Sequence, residues 1–182
     1  MIGFTEHWNL YLESIPANQQ DLYFREEYVR LYETENEKAC CFVFQKDLSI
    51  LLFPFLRREF EYKGKTYYDF ETAYGYGGPI SNDHSEEFMT AALQAMVTEA
   101  CEYNYVCGFT RFHPLLENWD CFQKVGRLIN DRKTIAIDLT GGVDATWMNE
   151  IHTKNRNVIK KGEKNGLEFI VDNEFKYLQE FE

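Results

Sequence analysis

The sequence predicts an α/β protein of the α+β type, with a mixed, mostly antiparallel central sheet flanked by helices. Two patterns of apolar residues underlie this prediction. Cys40 to Gln45 and Ser49 to Phe60 are rich in β-branched and aromatic residues and flank a short polar link, which is typical of an antiparallel hairpin. Apolar residues at helical spacing then predict two long helices, from about Ser85 to Tyr103 and from about Ala145 to Asn165.

The length and composition indicate one domain with a sizeable core. The chain has 182 residues, of which 45% are hydrophobic and 16% aromatic, and this apolar content is enough to offset the chain entropy lost on folding. We expect a single domain over residues 1–172. Residues 173–182 are predicted to begin a linker helix towards a second domain, because the sequence stops inside the amphipathic pattern of Phe175, Leu178 and Phe181.

The charge and the termini restrict the partners. The formal net charge is −11 and the sequence pI about 4.9, so the molecule as a whole repels DNA and anionic lipid surfaces, and any anion site must be local. The N-terminus lacks a basic and apolar leader, and the apolar run Ile50 to Leu56 is broken by Pro54. These features predict a cytoplasmic protein without a membrane span. The five cysteines form no C-x-x-C pair and are expected to be buried thiols.

The remaining elements follow in chain order. Short helices are expected in the segment from Thr5 to Ile15 and from Phe24 to Tyr32. Pro54 lacks an amide donor, which predicts an edge position or a bulge for its strand. Further strands are predicted at Thr66 to Phe70, at Tyr105 to Phe112 in the interior of the sheet, at Lys133 to Leu139 and at Leu167 to Val171, and Gly166 is predicted to end the second long helix in a left-handed conformation.

An aromatic and glycine-rich loop, Tyr74-Gly75-Tyr76-Gly77-Gly78-Pro79, separates a predicted strand from a helix. Glycines there allow positive φ angles and close approach of a ligand to the backbone. We interpret Tyr74, Gly75, Tyr76, Gly77 and Gly78 as substrate-binding residues. The alternative is a tight connection plugged by aromatic rings.

Two polar residues follow the strand that begins at Tyr105. Arg111 can bind a carboxylate or phosphate through its planar guanidinium, and His113 can transfer a proton. Both are candidate substrate-binding residues, since strand ends in open α/β sheets face the crevice where ligands bind. The alternative for His113, which precedes Pro114, is a structural role.

A basic stripe is predicted on the second long helix, where His152, Arg156, Lys160 and Lys164 recur every fourth residue and Lys154 lies on a neighbouring face. In so acidic a chain, Lys154, Arg156 and Lys160 are candidates for holding an anionic part of a substrate. The alternative is an ordinary solvated helix face. The sequence contains no serine-hydrolase elbow, zinc-protease helix, P-loop or kinase signature, so an enzyme would act mainly by positioning its substrates, and no catalytic residue is assigned.

Three segments resemble the Fem-type (FemAB-like) N-acyltransferases, a family with tandem GNAT-like domains. They are residues 68–79, residues 111–118, and Trp147 with residues 154–161 and Gly166-Leu167. The resemblance implies a bacterial-type transferase with a GNAT-like fold, of which this chain is the first domain. It also implies an acyl-CoA or aminoacyl-tRNA donor, a small-molecule or cell-wall-precursor amine as acceptor, and a second GNAT-like domain as partner.

One position departs from the GNAT pattern. GNAT-type enzymes that bind coenzyme A have Gln or Arg followed by two residues and then the first glycine of the phosphate loop. This chain has Thr72 at the corresponding position, and several residues separate the glycines from the next helix. No cofactor is therefore assigned to this chain by itself. The rival hypothesis is a non-catalytic GNAT-like interaction domain that forms a homodimer through Phe175, Leu178 and Phe181.

Overall fold

A computed structural model describes residues 3–181. The contacts between residues divide the chain into two compact units, which meet at residues 131 and 132. The predicted domain boundary at residues 172 and 173 lies inside the second unit, and the prediction of one domain over residues 1–172 stays a prediction. The two units are described separately below.

The first unit contains a six-stranded sheet. Its strands lie in the order β1-β2-β3-β4-β6, and β5 pairs with β3; all pairs are antiparallel except β4 with β6. The predicted mixed α+β class with a mostly antiparallel sheet is thereby confirmed. The strands are β1 (Gly3–Thr5), β2 (Glu37–Lys46), β3 (Ser49–Tyr62), β4 (Lys65–Glu71), β5 (Ile80–Ser81) and β6 (Tyr105–Phe109).

Three α-helices and several single turns of 3₁₀ helix accompany this sheet. The helices are α1 (Asn9–Leu12), α2 (Glu26–Arg30) and α3 (Glu86–Glu102), and the 3₁₀ turns are Ala17–Gln19, Leu22–Phe24 and Asp120–Lys124. The Ser85 side chain accepts a hydrogen bond from the Phe88 backbone N–H at 3.4 Å, and Glu86 and Glu87 lie in the first turn of α3. Both features stabilise a helix N-terminus.

Both faces of the β2–β3 hairpin are covered, which explains its continuous apolar sequence. Successive side chains of a strand point to opposite faces. One set packs with Trp8, Leu12 and Val29 from the N-terminal region, and the other packs against α3 through Phe88, Leu93 and Met96. The first set is Ala39, Cys41, Val43, Ile50, Leu52 and Leu56, and the second is Cys40, Phe42, Phe44, Leu51, Phe53 and Phe55.

Pro54 lies on β3, which pairs with strands on both sides and is not the edge strand that was predicted, but Pro54 itself faces a gap between two of these strands. β3 changes partner along its length: Leu52 is its last residue paired with β5, and Leu56 is its first residue paired with β4. The N–H and C=O of Ile50 both bond to Asn82, the residue that follows β5. Every second residue of a strand directs its backbone N–H and C=O to the same neighbour, so the backbone nitrogen of Pro54, four residues after Ile50, also faces the β5 side. That side has no strand opposite Pro54, and the proline therefore removes no ladder hydrogen bond.

β6 is an edge strand, and the prediction of an interior strand over Tyr105 to Phe112 was wrong. It pairs only with β4 among the described strands. Val106 and Phe109 are 55% and 58% exposed. A run of apolar residues cannot by itself distinguish a strand buried on both faces from an edge strand whose apolar side chains are left uncovered.

The second unit is helical and irregular. It contains α4 (Gly142–Ala145), a π-helical turn (Thr146–Glu150), α5 (Thr153–Lys164) and α6 (Leu178–Phe181). The single helix predicted from Ala145 to Asn165 is thus interrupted, because Ile151 and His152 have extended ψ angles of 114° and 141°. Gly166 has a φ of +73° and ends α5, as predicted.

Two predicted strands of this unit are not formed. Residues 133–139 and 167–171 have no strand partner within the described residues, and Ile135 and Phe169 are 91% and 93% exposed. A strand is stabilised by hydrogen bonds to a neighbour, so an alternating sequence without a neighbour does not form one.

Two of the five thiols are buried and two are exposed. Cys40 and Cys41 are buried, as expected, and burial raises the pKa of Cys40 to about 11, but Cys101 and Cys107 are exposed. Their positions on the last turn of α3 and on the edge strand β6 account for this difference. No helix within residues 3–181 is both long enough and apolar enough to cross a bilayer.

Candidate functional site

The glycine-rich loop connects β4 to β5 where the two strands separate along β3. Gly75 and Gly78 have φ angles of +103° and +97°, a region that L-residues with a Cβ rarely adopt. Gly77 does not have a positive φ. A residue without a side chain is needed there because of packing. A Cβ on Gly77 would lie 2.7 Å from Cγ2 of the buried Thr72.

The loop is bonded to the segment that follows β6. The Gly77 N–H donates to the Arg111 carbonyl at 2.8 Å, and the His113 N–H donates to the Gly77 carbonyl at 3.0 Å. Thr72 adds a third bond, since its Oγ1 accepts from the Arg111 N–H at 3.0 Å. Two of the three predicted binding segments therefore lie side by side.

The Asn118 side chain forms hydrogen bonds both to the glycine-rich loop and to the segment that follows β6. Its Nδ2 donates to the carbonyls of Gly77 and Pro79 at 3.0 and 2.9 Å, and its Oδ1 accepts from the His113 N–H at 3.1 Å. An amide that uses both its donor and its acceptor in this way fixes the separation of the segments. The conformation of the glycine-rich loop is therefore fixed by hydrogen bonds to the segment that follows β6.

His113 is buried, and both of its ring nitrogens have partners. Nε2 lies 3.3 Å from Asp21 Oδ2, and Nδ1 accepts a hydrogen bond from the Leu115 N–H at 3.2 Å. The acceptor role of Nδ1 places the imidazole proton on Nε2, facing the Asp21 carboxylate. His113 thus joins the loop to the N-terminal region, and neither nitrogen is left for a substrate in this arrangement.

Tyrosine rings surround this histidine. The Tyr76 ring lies 5.7 Å from the His113 ring and 5.7 Å from that of Tyr23, both edge-on. The Tyr28 hydroxyl donates to the Tyr74 carbonyl at 2.8 Å. Burial, followed by the hydrogen bond to Tyr32, raises the pKa of Tyr28, so this hydroxyl stays protonated at neutral pH and can donate.

A cavity of about 250 Å³ opens at the end of β4. We call it the β4 cavity. Residues of both charge signs line it: the acidic Glu37 and Glu71 and the basic Arg111. The other lining residues are Tyr32, Tyr74, Leu56, Thr72, Ala73 and Phe109.

A second cavity, of about 220 Å³, adjoins the first and shares Glu37, Leu56, Glu71 and Phe109 with it. It is lined in addition by Arg58 and Asp69, which form an ion pair with Nε and Oδ1 3.0 Å apart. The two cavities lie side by side, and residues of β3, β4 and β6 line them.

The strand register explains why these side chains converge. Glu71 pairs with Leu56 on one side and with Phe109 on the other, and directly paired residues point to the same face of a sheet. Arg111 lies two residues beyond Phe109 and so continues the same side of the chain. The charges of the β4 cavity are therefore placed by adjacent strands and not by sequence proximity.

The predicted basic residues lie in the second unit, on α5. Lys154 and Lys160 are exposed. Arg156 is turned back onto its own unit: its Nη1 donates to the carbonyls of Trp147 and Met148, each at 2.9 Å, and its Nη2 donates to Thr153 Oγ1 at 3.0 Å. The guanidinium thus satisfies carbonyls of the π-helical turn, which the prediction of a solvated stripe did not foresee.

Sequence reasoning missed the two carboxylates and Tyr32. Glu71 is adjacent to the predicted glycine segment, whereas Glu37 and Tyr32 precede it by more than thirty residues. An acidic residue at the last position of a strand that leads into a glycine loop was the available signal for Glu71. No short-range spacing indicates Glu37, which reaches the cavity only through the β2–β3 pairing.

Among the described residues, no three His, Cys, Asp or Glu side chains are grouped so as to hold a metal ion. Comparison of the chain with known protein families, with curated proteins and with solved structures gives no match.

Proposed function

We propose that this chain is the acceptor-binding first domain of a GNAT-like, Fem-type N-acyltransferase, which transfers an acyl or aminoacyl group to an amine. The observation that carries the proposal is the β4 cavity. Glu37, Glu71, Tyr32 and Tyr74 line it, and carboxylates with tyrosine rings are the side chains that attract an ammonium group. The resemblance of residues 68–79 and 111–118 to the Fem-type family supports the same function.

The reaction requires a neutral amine at the moment of attack. An ammonium bound in the cavity would release a proton to a neighbouring carboxylate, Glu71 or Glu37, or to water. The amine nitrogen then forms a bond to the acyl carbon of a thioester or an ester, and the carbon–sulfur or carbon–oxygen bond breaks as the thiol or hydroxyl leaves with a proton. Holding the amine in line with the acyl carbon is the main contribution of such a site, and no covalent enzyme intermediate is needed.

The acyl donor, an acyl-CoA or an aminoacyl-tRNA, is proposed to be held mainly by a second GNAT-like domain, with Lys154 and Lys160 binding an anionic part of a substrate. Arg156, the third residue of the predicted anion site, is bonded to its own unit. Within this chain the glycine loop is followed by β5 and not directly by a helix. A helix N-terminus is what supports a pyrophosphate in many nucleotide sites. This chain by itself should therefore bind acetyl coenzyme A only with a dissociation constant above about 10 μM, equivalent to roughly −7 kcal/mol.

Acyl transfer by the polypeptide encoded by the whole reading frame tests the proposal. Labelled amine acceptors are incubated with acetyl coenzyme A or with aminoacyl-tRNA, and the amide product is measured. Glu71→Gln should lower kcat/KM at least tenfold, about 1.4 kcal/mol of transition-state stabilisation. Glu35→Gln, an exposed glutamate outside both cavities, serves as the matched control. No amide product with either donor class would contradict the proposal.

A second candidate function, a non-catalytic interaction domain, has one observation in its favour. Phe175 and Leu178 are 72% and 51% exposed in the second unit, and exposed apolar patches often mark protein contacts. Phe181, the third residue of the predicted patch, lies at a position whose side chain is outside the described residues. Sedimentation of the 182-residue chain separates the two functions: a dimer lost in Phe175→Ser with Leu178→Ser, together with absent turnover, would favour the interaction domain.

A further inference from the structure

We propose that the β4 cavity recognises a zwitterion, namely the α-amino and α-carboxylate groups of a free amino acid with a small apolar side chain. This inference rests on the proposed function in that it names the acceptor class of the same cavity. It goes further by proposing that Arg111 binds the carboxylate of the ligand and that Glu37 and Glu71 bind its ammonium group.

The first argument is that the charged side chains lining the β4 cavity do not pair with one another. Glu37, Glu71 and Arg111 line one space of about 250 Å³. Within the described residues none of these three side chains forms an ion pair with another, and the Arg111 guanidinium has no hydrogen-bond partner. Arg58 acts electrostatically on Glu37 and Glu71, but its ion pair is with Asp69. The Glu37 carboxylate accepts only from Thr34 Oγ1, at 3.1 Å. Charges of both signs that share a cavity without pairing can each bind one end of a dipolar ligand.

The second argument is the position of the two backbones that carry the opposite charges. Arg111 is held to β4 because its N–H donates to Thr72 Oγ1 at 3.0 Å, and Thr72 directly follows Glu71. The guanidinium and the carboxylate therefore start from neighbouring points of one fixed framework. A ligand whose cationic and anionic groups are attached to the same carbon atom suits two charged side chains that start from neighbouring backbones.

The third argument concerns the uncharged lining. The rings of Tyr32 and Tyr74 can face an ammonium group. Leu56, Ala73 and Phe109 provide an apolar surface, which favours an aliphatic side chain over a charged one. The cavity is smaller than the roughly 300–1,000 Å³ of pockets for drug-sized ligands, which favours a compound of amino-acid size.

Binding of valine and of its two one-charge analogues tests the inference. Isobutylamine is valine without the carboxylate, and isovalerate is valine without the amine, so the three ligands share their aliphatic part. Affinities for the 182-residue chain are measured by chemical-shift titration. We expect valine to bind at least tenfold more tightly than either analogue.

Two variants assign the ends of the ligand. Arg111→Gln should weaken valine binding at least tenfold while changing isobutylamine binding less than twofold. Glu71→Gln should weaken valine and isobutylamine and leave isovalerate unchanged or improved. Arg127→Gln and Glu35→Gln, both exposed and outside the two cavities, are the matched controls. Arg111 and Glu71 are themselves exposed, so a thermal melt should confirm that the variants remain folded.

The outcomes separate this inference from the proposed acyl transfer. The zwitterion assignment would be overturned if isobutylamine bound as tightly as valine, or if Arg111→Gln lowered the affinities for both ligands equally. An amine acceptor would remain possible in either case. Valine binding with the expected pattern and no amide product with any donor would retain the zwitterion site and reject the acyltransferase. No measurable binding of any of the three ligands overturns the inference.

Discussion

Gly77 and Thr72 fit together as a pair at the base of the glycine loop. The space that a side chain on Gly77 would need is occupied by Thr72 Cγ2, 2.7 Å from the ideal Cβ position. Positive φ angles were expected in this glycine loop, and the structure gives them to Gly75 and Gly78 but not to Gly77. The restriction at Gly77 is therefore one of packing.

This contact predicts a rescue. Gly77→Ala should lower the free energy of unfolding by about 1–3 kcal/mol, the usual cost of an overpacked site. Thr72→Ser removes Cγ2 but keeps the hydroxyl that accepts from the Arg111 N–H, so the double variant should recover at least about 1 kcal/mol relative to additive losses. Urea unfolding of all four proteins measures this coupling.

Gly75→Ala provides the control for the rescue. Its Cβ would meet the Tyr23 ring at 2.4 Å, and its φ is +103°, so Thr72→Ser should not restore it. Additive losses for Gly77→Ala and Thr72→Ser would show that the two positions do not share a contact.

Asn118 is the second residue on which the loop depends. Asn118→Ala removes three hydrogen bonds and leaves the Pro79 carbonyl without its present partner, while the Gly77 carbonyl and the His113 N–H keep the bond between them. Each lost hydrogen bond costs about 0.5–1.5 kcal/mol, and a buried polar group left without a partner about 1–3 kcal/mol. We expect a loss of at least about 2 kcal/mol in the free energy of unfolding, measured by urea denaturation, whereas the exposed Asn149→Ala should stay within about 0.5 kcal/mol.

At the scale of the elements, α1 and α2 are joined by one carboxylate. Glu26 of α2 accepts hydrogen bonds from the backbone N–H groups of Trp8 and Asn9, the latter at 2.7 Å, and the Asn9 side chain accepts from the Glu26 N–H at 3.1 Å. Two helices of four and five residues are too short to be stable alone. This reciprocal capping, together with the burial of Trp8 and Val29, fixes them.

The same carboxylate predicts a dependence on pH. Burial raises the pKa of Glu26, but the hydrogen bonds from Asn9, Trp8 and His7 outweigh it and lower the pKa below its ordinary value of 4.5. A lowered pKa in the folded state means that the ionised Glu26 stabilises the fold above about pH 4.5 and that this stabilisation is lost as the pH falls through the folded-state pKa.

Glu26→Gln should consequently be less stable than the natural protein at pH 7, by about 1–3 kcal/mol for charge-assisted hydrogen bonds, and the difference should shrink below pH 4.5. Urea titrations at pH 7 and at pH 3.5 measure both values, with the exposed Glu35→Gln as control. A difference that is the same at the two pH values would mean that the charge of Glu26 does not stabilise the helices.

The elements differ in how far the sequence predicts them. β2, β3, β4 and α3 contain long patterns whose partners are adjacent in the chain, and their bounds were predicted to within a few residues. Residues 133–139 alternate just as clearly, but strand formation depends on a neighbour that the local pattern does not specify. The residues of the β4 cavity differ in the same way. Arg111 and Tyr74 lie in segments that the sequence identified, whereas Glu37 lines the cavity only because of the register between β2 and β3.

At the scale of the whole molecule, the charge distribution is uneven. The net charge is −11, yet the twelve residues of α5 contain five basic residues and one acidic residue. Arg156 is held by carbonyl groups. The four lysines of α5, Lys154, Lys160, Lys161 and Lys164, have no side-chain partner within the described residues. These four lysines spread over roughly one third of the helix circumference, by the 100° rotation per residue.

A surface of this kind predicts local, salt-sensitive binding of a polyanion. The chain should bind a short single-stranded RNA at low ionic strength, and Lys154→Gln with Lys160→Gln should weaken this binding and lower the slope of log K against log[salt] by about 1 for each lysine removed. The melting temperature should change little, because exposed lysines away from structural contacts contribute within about 0.5 kcal/mol. Arg156→Ala should instead destabilise the π-helical turn, since it removes two carbonyl partners. Lys63→Gln with Lys65→Gln, on the exposed turn between β3 and β4, changes the net charge equally and is the control. If that control pair lowers the salt slope as much as the α5 pair, the binding reflects total charge, and α5 is an ordinary solvated helix face.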